Sequence, residues 1–364
     1  MAGAVPATAA IHCLRNVALG PLTTFGVAGT ALRAWSLDSL ERIDSLLGAV
    51  AACGSALPAF VLGGGSNVLV ARDLAEPLIL VRLTGRRVLD DDGSQVLLEI
   101  GAGEVWDRLV RWTLSRGWFG LENLSLIPGL VGAAPWQNIG AYGVEAAERI
   151  VAVNAVNMGS GEQREFSASD CAFGYRSSFF KTPAGRQWLI TSVRLRLSRQ
   201  PEPRIGYGEI QQELATLAAR DAGQGRNAGV TPPTPLQVAA AVESIRRRKL
   251  PDPALVGNAG SFFKNPIVGL DEAHVLRDAA PTMPVYPVAD DATRAKLSAG
   301  WLIEAAGWKG FRDGDAGVSS QHALVLVNHG SATGKQVLAL AQRIQQSVFE
   351  RFGVALEPEP VIVS

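Results

Sequence analysis

Histidine is scarce in this chain. Only four occur in 364 residues, His12, His274, His322 and His329, and none falls between Cys13 and Ala273. A Ser-His-acid triad therefore has few possible bases, and no G-x-S-x-G elbow is present to hold its nucleophile. Cysteine is scarcer still: Cys13, Cys53 and Cys171 lie far apart with no CxxC spacing, so neither a zinc site nor a disulfide framework is suggested, which suits a reducing compartment. Neither sign of charge dominates, with 34 Lys plus Arg against 34 Asp plus Glu, so no basic field argues for a nucleic-acid partner. Long apolar runs are missing as well. The uncharged stretch Asn123 to Val144 contains Pro128, Pro135, Gln137 and Asn138 and would make a poor membrane helix. The opening MAGAVPATAAIHCLR lacks an early positive region and a long apolar core, and reads as a mobile leader rather than a signal peptide. No membrane insertion and no metal site are expected.

What is present supports a large core. Apolar residues make up 47% of the chain and charged residues 19%, enough for two or three packed domains. Asp38 and Glu41 predict a capping box before a helix whose apolar positions are Leu40, Ile43, Leu47 and Val50, closed by Gly54. Further helices are expected over Glu104–Arg116, Pro235–Lys249 and Gly334–Arg351. Short β-branched runs predict strands at Ala59–Leu62, Pro77–Leu83, Gln95–Ile100, Ile150–Asn157, Trp188–Leu197 and Ala323–Val327. Helices and strands do not alternate regularly, so the class is α+β rather than a doubly wound sheet. Residues 198–235, rich in Pro, Gly, Gln and Ala, read as a linker with a loop insertion.

Five motifs carry possible chemistry. VLGGGSNVLV, Val61 to Val70, is strand, glycine turn, strand; its glycines free backbone N–H groups for an anion, or make a tight hairpin. It fits neither the Rossmann fingerprint, because Val68 stands at the sixth position, nor a Walker loop. IPGLVGAAPWQNIGAYGVE, Ile127 to Glu145, reads as a backbone-lined cradle for a large planar cofactor, or as a buried irregular loop. FGYRSSFFK places Arg176 among aromatics, as a stacked surface cation or as a fixed cation facing a carboxylate. LEPEP sets Glu357 and Glu359 two apart, and spacing alone favours a solvated tail. In GNAGSFFKNP, spacing alone favours Ser261 as an N-cap or turn serine, with Phe262 and Phe263 as core.

In this order, with KLPDP and GWLIEAAGWKG, the motifs resemble those of UDP-N-acetylenolpyruvoylglucosamine reductase, the MurB family of bacterial peptidoglycan synthesis, from about Asn16 to Glu359. The resemblance implies a two-subdomain FAD-binding module of the vanillyl-alcohol-oxidase type plus a smaller α+β substrate domain. It implies a leader at 1–15, FAD subdomains at 16–84 and 85–200, a substrate domain with loop insertion at 201–356, and a C-terminal segment at 357–364. FAD would lie on Gly63, Gly64, Gly65, Ser66 and Asn67 and on Pro128, Gly129, Gly132, Ala133, Gln137, Asn138, Gly140, Ala141 and Gly143. It would be non-covalent, since no histidine is available for attachment in that region. NADPH would reduce it, and the enolpyruvyl ether of UDP-GlcNAc would take up hydride at C3 and a proton at C2, giving UDP-N-acetylmuramate. The resemblance implies that Arg176 and Glu359 stabilise the enol-like intermediate and that Ser261 protonates C2. It places Tyr207, Arg246, Lys249, Asn265 and His322 or Gln321 on substrate, Tyr207 from a loop that closes over the nucleotide. A cytoplasmic monomer is expected. Pro360 and Val361 depart from the apolar-arginine pair that follows LEPE in many relatives, which leaves no arginine there for a cofactor contact. Another FAD oxidoreductase of the same fold, or a non-catalytic flavin- or nucleotide-sugar-binding protein, is the alternative.

Overall fold

A computed structural model describes residues 11–55, 58–223, 232–288 and 291–364. The first ten residues of the expected leader, and residues 224–231 of the expected insertion, lie outside them. The architecture is α+β. Contacts divide it into two units, the first comprising Met1–Val17, Ala31–Gly64 and Leu74–Arg246, the second Ala18–Thr30, Gly65–Asp73 and Arg247–Ser364.

The first unit holds two larger sheets. Strands Thr30–Leu37, Leu78–Val81 and Phe60–Leu62 run parallel in the order Leu14–Ala18, Thr30–Leu37, Leu78–Val81, Phe60–Leu62. All of Leu78–Val81 is buried, as expected for a strand in a parallel sheet. The helix Ile43–Ala52 buries Ile43 and Leu46. Its approach is capped by Ser39, not by Asp38: the Ser39 hydroxyl accepts from the Glu41 N–H, while Asp38 pairs with Arg42 one turn on. The second sheet is antiparallel, in the order Gln163–Ser167, Ile150–Asn157, Trp188–Ser198, Gln95–Gly101, Arg86–Asp91. The helix Trp106–Ser115 packs its buried Trp106, Leu109, Val110 and Leu114 into the same core. The expected linker at 198–235 contains a helix, Gly208–Gly223, ahead of Pro235–Lys249. Ile210, Leu214 and Leu217 recur at helical spacing and pack with Val238, Ala241, Val242 and Ile245.

The second unit is built on the antiparallel sheet Gly257–Ser261, Val325–Asn328, Ala316–Val318, Arg312–Asp313. A smaller sheet joins Ile267–Gly269, Asp291–Leu297 and Val285–Val288. The helix Gly334–Phe352 buries Val337, Leu340, Ala341, Ile344 and Val348. Thr333 and Gln336 form a capping box at its start, and Gly353, at φ 70°, ends it in the left-handed region. Val68–Val70 pairs in parallel with Val361–Val363. The glycine run of VLGGGSNVLV is therefore not a hairpin: its two flanking strands enter different sheets.

Gly334 occupies the first helical position, where alanine normally helps. A Cβ there would lie 1.7 Å from the Val70 carbonyl oxygen. Gly334→Ala is expected to destabilise the protein by about 1–3 kcal/mol, the usual range for forced overpacking, against the small gain that helix propensity alone predicts. Urea denaturation of the two proteins checks this.

Candidate active site

In the first unit, the charge-free loop is stitched to the framework through its backbone. The Gly129 carbonyl accepts from the Trp106 N–H at 3.0 Å, Val131 donates to Glu104 at 2.8 Å, and Gly132 donates to Ala102 at 2.9 Å. Glycine is needed where the loop touches its neighbours. A Cβ on Gly132 would sit 2.6 Å from the Ala102 Cβ, and one on Gly64 would sit 2.9 Å from the Gly129 Cα. Two of the expected FAD-binding glycines thus meet backbone to backbone. That is the close, side-chain-free surface that a dinucleotide needs, so the residues present fit FAD. Pro128 and Ala133 are on this loop, Ala133 exposed, and Gly63 and Gln137 are half-buried.

Asn138 is 1% exposed and has φ 46°. Its amide donates to Glu145 Oε2 at 2.6 Å and to the Gly174 carbonyl at 3.2 Å, and its oxygen accepts from the Ala147 N–H at 2.9 Å. Asn138 is therefore a structural tie between segments. The tie reaches the turn that carries Arg176. Gly174 and Ser177 exchange both backbone hydrogen bonds across Tyr175 and Arg176, and Arg176 takes φ 52°. The Arg176 guanidinium donates to the Gly140 carbonyl at 2.8 Å, and Lys181 Nζ donates to the Arg176 carbonyl at 3.0 Å. The Ser178 hydroxyl donates to the Trp136 carbonyl at 2.7 Å. Arg176 is thus a held cation beside the glycine loop, not a loose surface side chain. Ala141 and Gly143 belong to the small hairpin Gly140–Ala141, Val144–Glu145. Tyr207 and Arg246 lie in this unit too, joined through Tyr142, which spacing alone gives no reason to single out.

The second unit brings another set together. Gly257–Ser261 carries a bulge between Asn258 and Ser261, with Gly260 at φ 70°. Gly257 must be glycine, since a Cβ would lie 2.3 Å from the Phe25 carbonyl oxygen. Buried Asn258 fixes the bulge, donating to the Pro251 and Val256 carbonyls and accepting from the Gly260 N–H. Half-buried Ser261 therefore ends a strand opposite Val325 and caps no helix. Phe262 and Phe263 are core, 0% and 1% exposed, and Phe262 meets Phe25 edge-on.

The LEPEP segment is not a solvated tail. It runs antiparallel to the residues after Ser261: Glu359 N–H donates to the Phe262 carbonyl at 2.8 Å, and Lys264 N–H to the Glu357 carbonyl at 3.0 Å. The two acids part company. Exposed Glu357 pairs with Lys264 at 2.6 Å, whereas Glu359 is half-buried. Asn67 donates its amide to the Glu359 carbonyl at 3.3 Å and accepts the Val361 N–H at its own carbonyl at 3.0 Å. The Gly65 carbonyl accepts from the Thr24 N–H, with Gly65 at φ 61°; Ser66 comes next, half-buried. Asn67, Ser261 and Glu359 are thereby gathered from three distant parts of the sequence. Asn265 accepts from the Ala299 N–H at 3.0 Å, and His322 Nδ1 accepts from the Leu324 N–H at 3.2 Å, which leaves the proton on Nε2. Lys249 closes the helix Pro235–Lys249, and the Gln321 N–H donates to Ser319.

A glycine-lined backbone with a held cation in one unit, and Ser261 and Glu359 on paired segments of the other, fit a flavin-dependent oxidoreductase. Residues 39–167 match the family described as FAD binding domain, and residues 252–363 match UDP-N-acetylenolpyruvoylglucosamine reductase, C-terminal domain. A UDP-N-acetylenolpyruvoylglucosamine reductase of Chromobacterium violaceum is 50% identical over 349 residues, 96% of this chain and 98% of its own. The reductase of that name from Pseudomonas aeruginosa is 49% identical over 350 residues, covering 96% and 97%. The crystal structure of the Thermus caldophilus enzyme (MurB) matches with a TM-score of 0.64 at 27% identity, over 97% of this chain and 98% of that one. The chain belongs to the UDP-N-acetylenolpyruvoylglucosamine reductase family.

Burial pushes the Tyr142 phenol up to about 12. Its tyrosinate is disfavoured in the folded state, while the unfolded chain gives up the proton near its ordinary value of about 10. Stability from this group is present below pH 10 and is lost as pH rises toward 12. Absorbance titration at the tyrosinate band is expected to show one late-titrating phenol that is missing in Tyr142→Phe.

Proposed function

We propose that the protein reduces UDP-N-acetylglucosamine enolpyruvate to UDP-N-acetylmuramate with NADPH, as a cytoplasmic monomer in peptidoglycan precursor synthesis. The observation that carries this reading is the backbone pairing of Phe262 with Glu359, which brings the segment of Ser261 and the segment of an acid together across a long sequence separation. Among the described residues no helix is long and apolar enough to cross a membrane.

FAD, when bound, would supply the hydride chemistry between NADPH and the enolpyruvyl group. Gly63, Gly64, Gly65, Ser66, Asn67, Pro128, Gly129, Gly132, Ala133, Gln137, Gly140, Ala141 and Gly143 would hold it. Asn138 would act by fixing its loop, through its buried hydrogen bonds. Everything else falls to side chains. Charge that develops at C2 of the substrate spreads into its carboxylate, where Arg176 supplies a fixed cation and Glu359 the acid of the pair. A preorganised donor of this kind is worth about 3 kcal/mol of barrier. The Ser261 hydroxyl gives its proton to C2; a hydroxyl is a weak acid, but a carbanionic carbon is a strong enough base to take it. Tyr207, Arg246, Lys249, Asn265 and His322 bind the nucleotide sugar.

Ser261→Ala is expected to leave NADPH-driven bleaching of the flavin within about twofold of wild type. Reoxidation by the enolpyruvyl substrate should slow by about 10²–10⁴-fold, the usual worth of a general acid. Anaerobic stopped-flow absorbance measures both halves separately. Equal slowing of both would remove the proton-donor role, and reoxidation by air but not by substrate would point to an oxidase.

A further inference from the structure

The turn that closes the charge-free loop carries a residue its backbone disfavours. Gly140–Ala141 and Val144–Glu145 pair across two residues, and both of these, Tyr142 at φ 51° and Gly143 at φ 80°, have positive φ. That is the pattern of a type I′ turn, whose first central position suits Asn, Asp or Gly. A tyrosine, with its bulky Cβ substituent, is disfavoured there. The surroundings over-determine it. The Asn123 amide, 1% exposed, donates to the Tyr142 carbonyl at 3.0 Å and to the Arg204 carbonyl at 2.8 Å, so one side chain holds both this turn and the segment leading to Tyr207.

The Tyr142 side chain has three kinds of neighbour. Its ring meets that of Tyr207 edge-on, 5.5 Å between centroids at 83°. Its flank packs on the apolar cluster of Ile210, Val238, Ala241, Val242 and Ile245. Its hydroxyl is hydrogen-bonded to the Arg246 guanidinium. Arg246 is mostly removed from water, and its buried Nε–H has no hydrogen-bond partner. Arg176 adds like charge to its surroundings, against the opposing charge of Asp107. A buried guanidinium that keeps one donor in reserve next to a second cation is arranged for an oxyanion.

We propose that Tyr142 is a positioning residue. Its hydroxyl fixes the Arg246 guanidinium so that the spare Nε–H meets an oxyanion of the nucleotide sugar, and its ring sets the resting place of Tyr207. Strain in the turn is the cost of aiming the phenol at Arg246. The chemistry recognised is that of a phosphate or carboxylate oxygen. Only the identity of the full substrate rests on the proposed function.

The test uses FAD-loaded enzyme and isothermal calorimetry with two probes, UDP, which has the diphosphate and no carboxylate, and UDP-N-acetylglucosamine enolpyruvate. Tyr142→Phe keeps the ring and loses the hydroxyl. It is expected to weaken binding about tenfold, as for a lost hydrogen bond to a charged group, and to raise KM in proportion with kcat within about twofold. Loss with both probes assigns the oxyanion to the diphosphate; loss with the enolpyruvyl probe alone assigns it to the carboxylate. Arg246→Gln should weaken binding as well, and adding Tyr142→Phe to it should change nothing more. A purely structural tyrosine would lower the melting temperature without changing either Kd. That outcome, or effects of the two substitutions that multiply, overturns the proposal. A wild-type protein that binds UDP but does not reduce the enolpyruvyl compound would sink the proposed function alone.

Discussion

One buried carboxamide sets the geometry of the first unit's site. Asn138 uses its amide protons and its oxygen on three separate partners, Glu145, Gly174 and Ala147. A buried amide left with unmet hydrogen bonds is costly, so the segments must stay at the spacing that satisfies all three. Gly174 is the first residue of the turn that carries Arg176, and Gly140 lies two residues beyond Asn138 and accepts from that arginine. The cation's place therefore depends on the amide's demands. The left-handed backbones of Asn138, Tyr142 and Arg176 are tolerated because this network leaves them no alternative arrangement.

The second unit solves a different problem by different means. Backbone pairing brings together a segment that carries a hydroxyl and a segment that carries a carboxyl. A bulge at Asn258–Ser261 turns the strand, Phe262 and Phe263 anchor the chain beyond it, and the segment Glu357–Glu359 lies alongside. Flanking positions thus act as structure around each chemical group: Phe262 and Phe263 hold Ser261, Pro358 bridges to Phe263, and Asn67 holds Glu359. Glu357 shows the same division of labour, spent on an exposed ion pair with Lys264 that contributes little by itself.

Much of this was legible in the sequence wherever a local signal existed. The helix Pro235–Lys249 and the strand Ile150–Asn157 fall at their expected bounds because Pro, basic residues and β-branched runs mark their ends. The motif order, more than any spacing, led to the family and to FAD. The features that stayed hidden depended on distant contacts. The helix Gly208–Gly223 reads as a loop because its apolar face is narrow and gains meaning only against Val238, Val242 and Ile245. Ser261 reads as a cap because its partner in the strand ladder, Val325, is far away in sequence. Tyr142 could not be singled out, since its importance lies in Tyr207 and Arg246, neither of which is near it in the chain.

The strand pairing of Val68–Val70 with Val361–Val363 has a consequence in time. Asn67 is bonded to a carbonyl 292 positions later. On a ribosome, the early segment leaves the exit tunnel long before the strand it needs has been translated. Throughout that interval Leu69 and Val70, which end almost wholly enclosed, lie open to chaperones. Glu359 can take its place beside Phe262 only once this last segment has emerged. A nascent chain therefore carries Ser261 for about a hundred residues of further synthesis before the segment that pairs beside it exists.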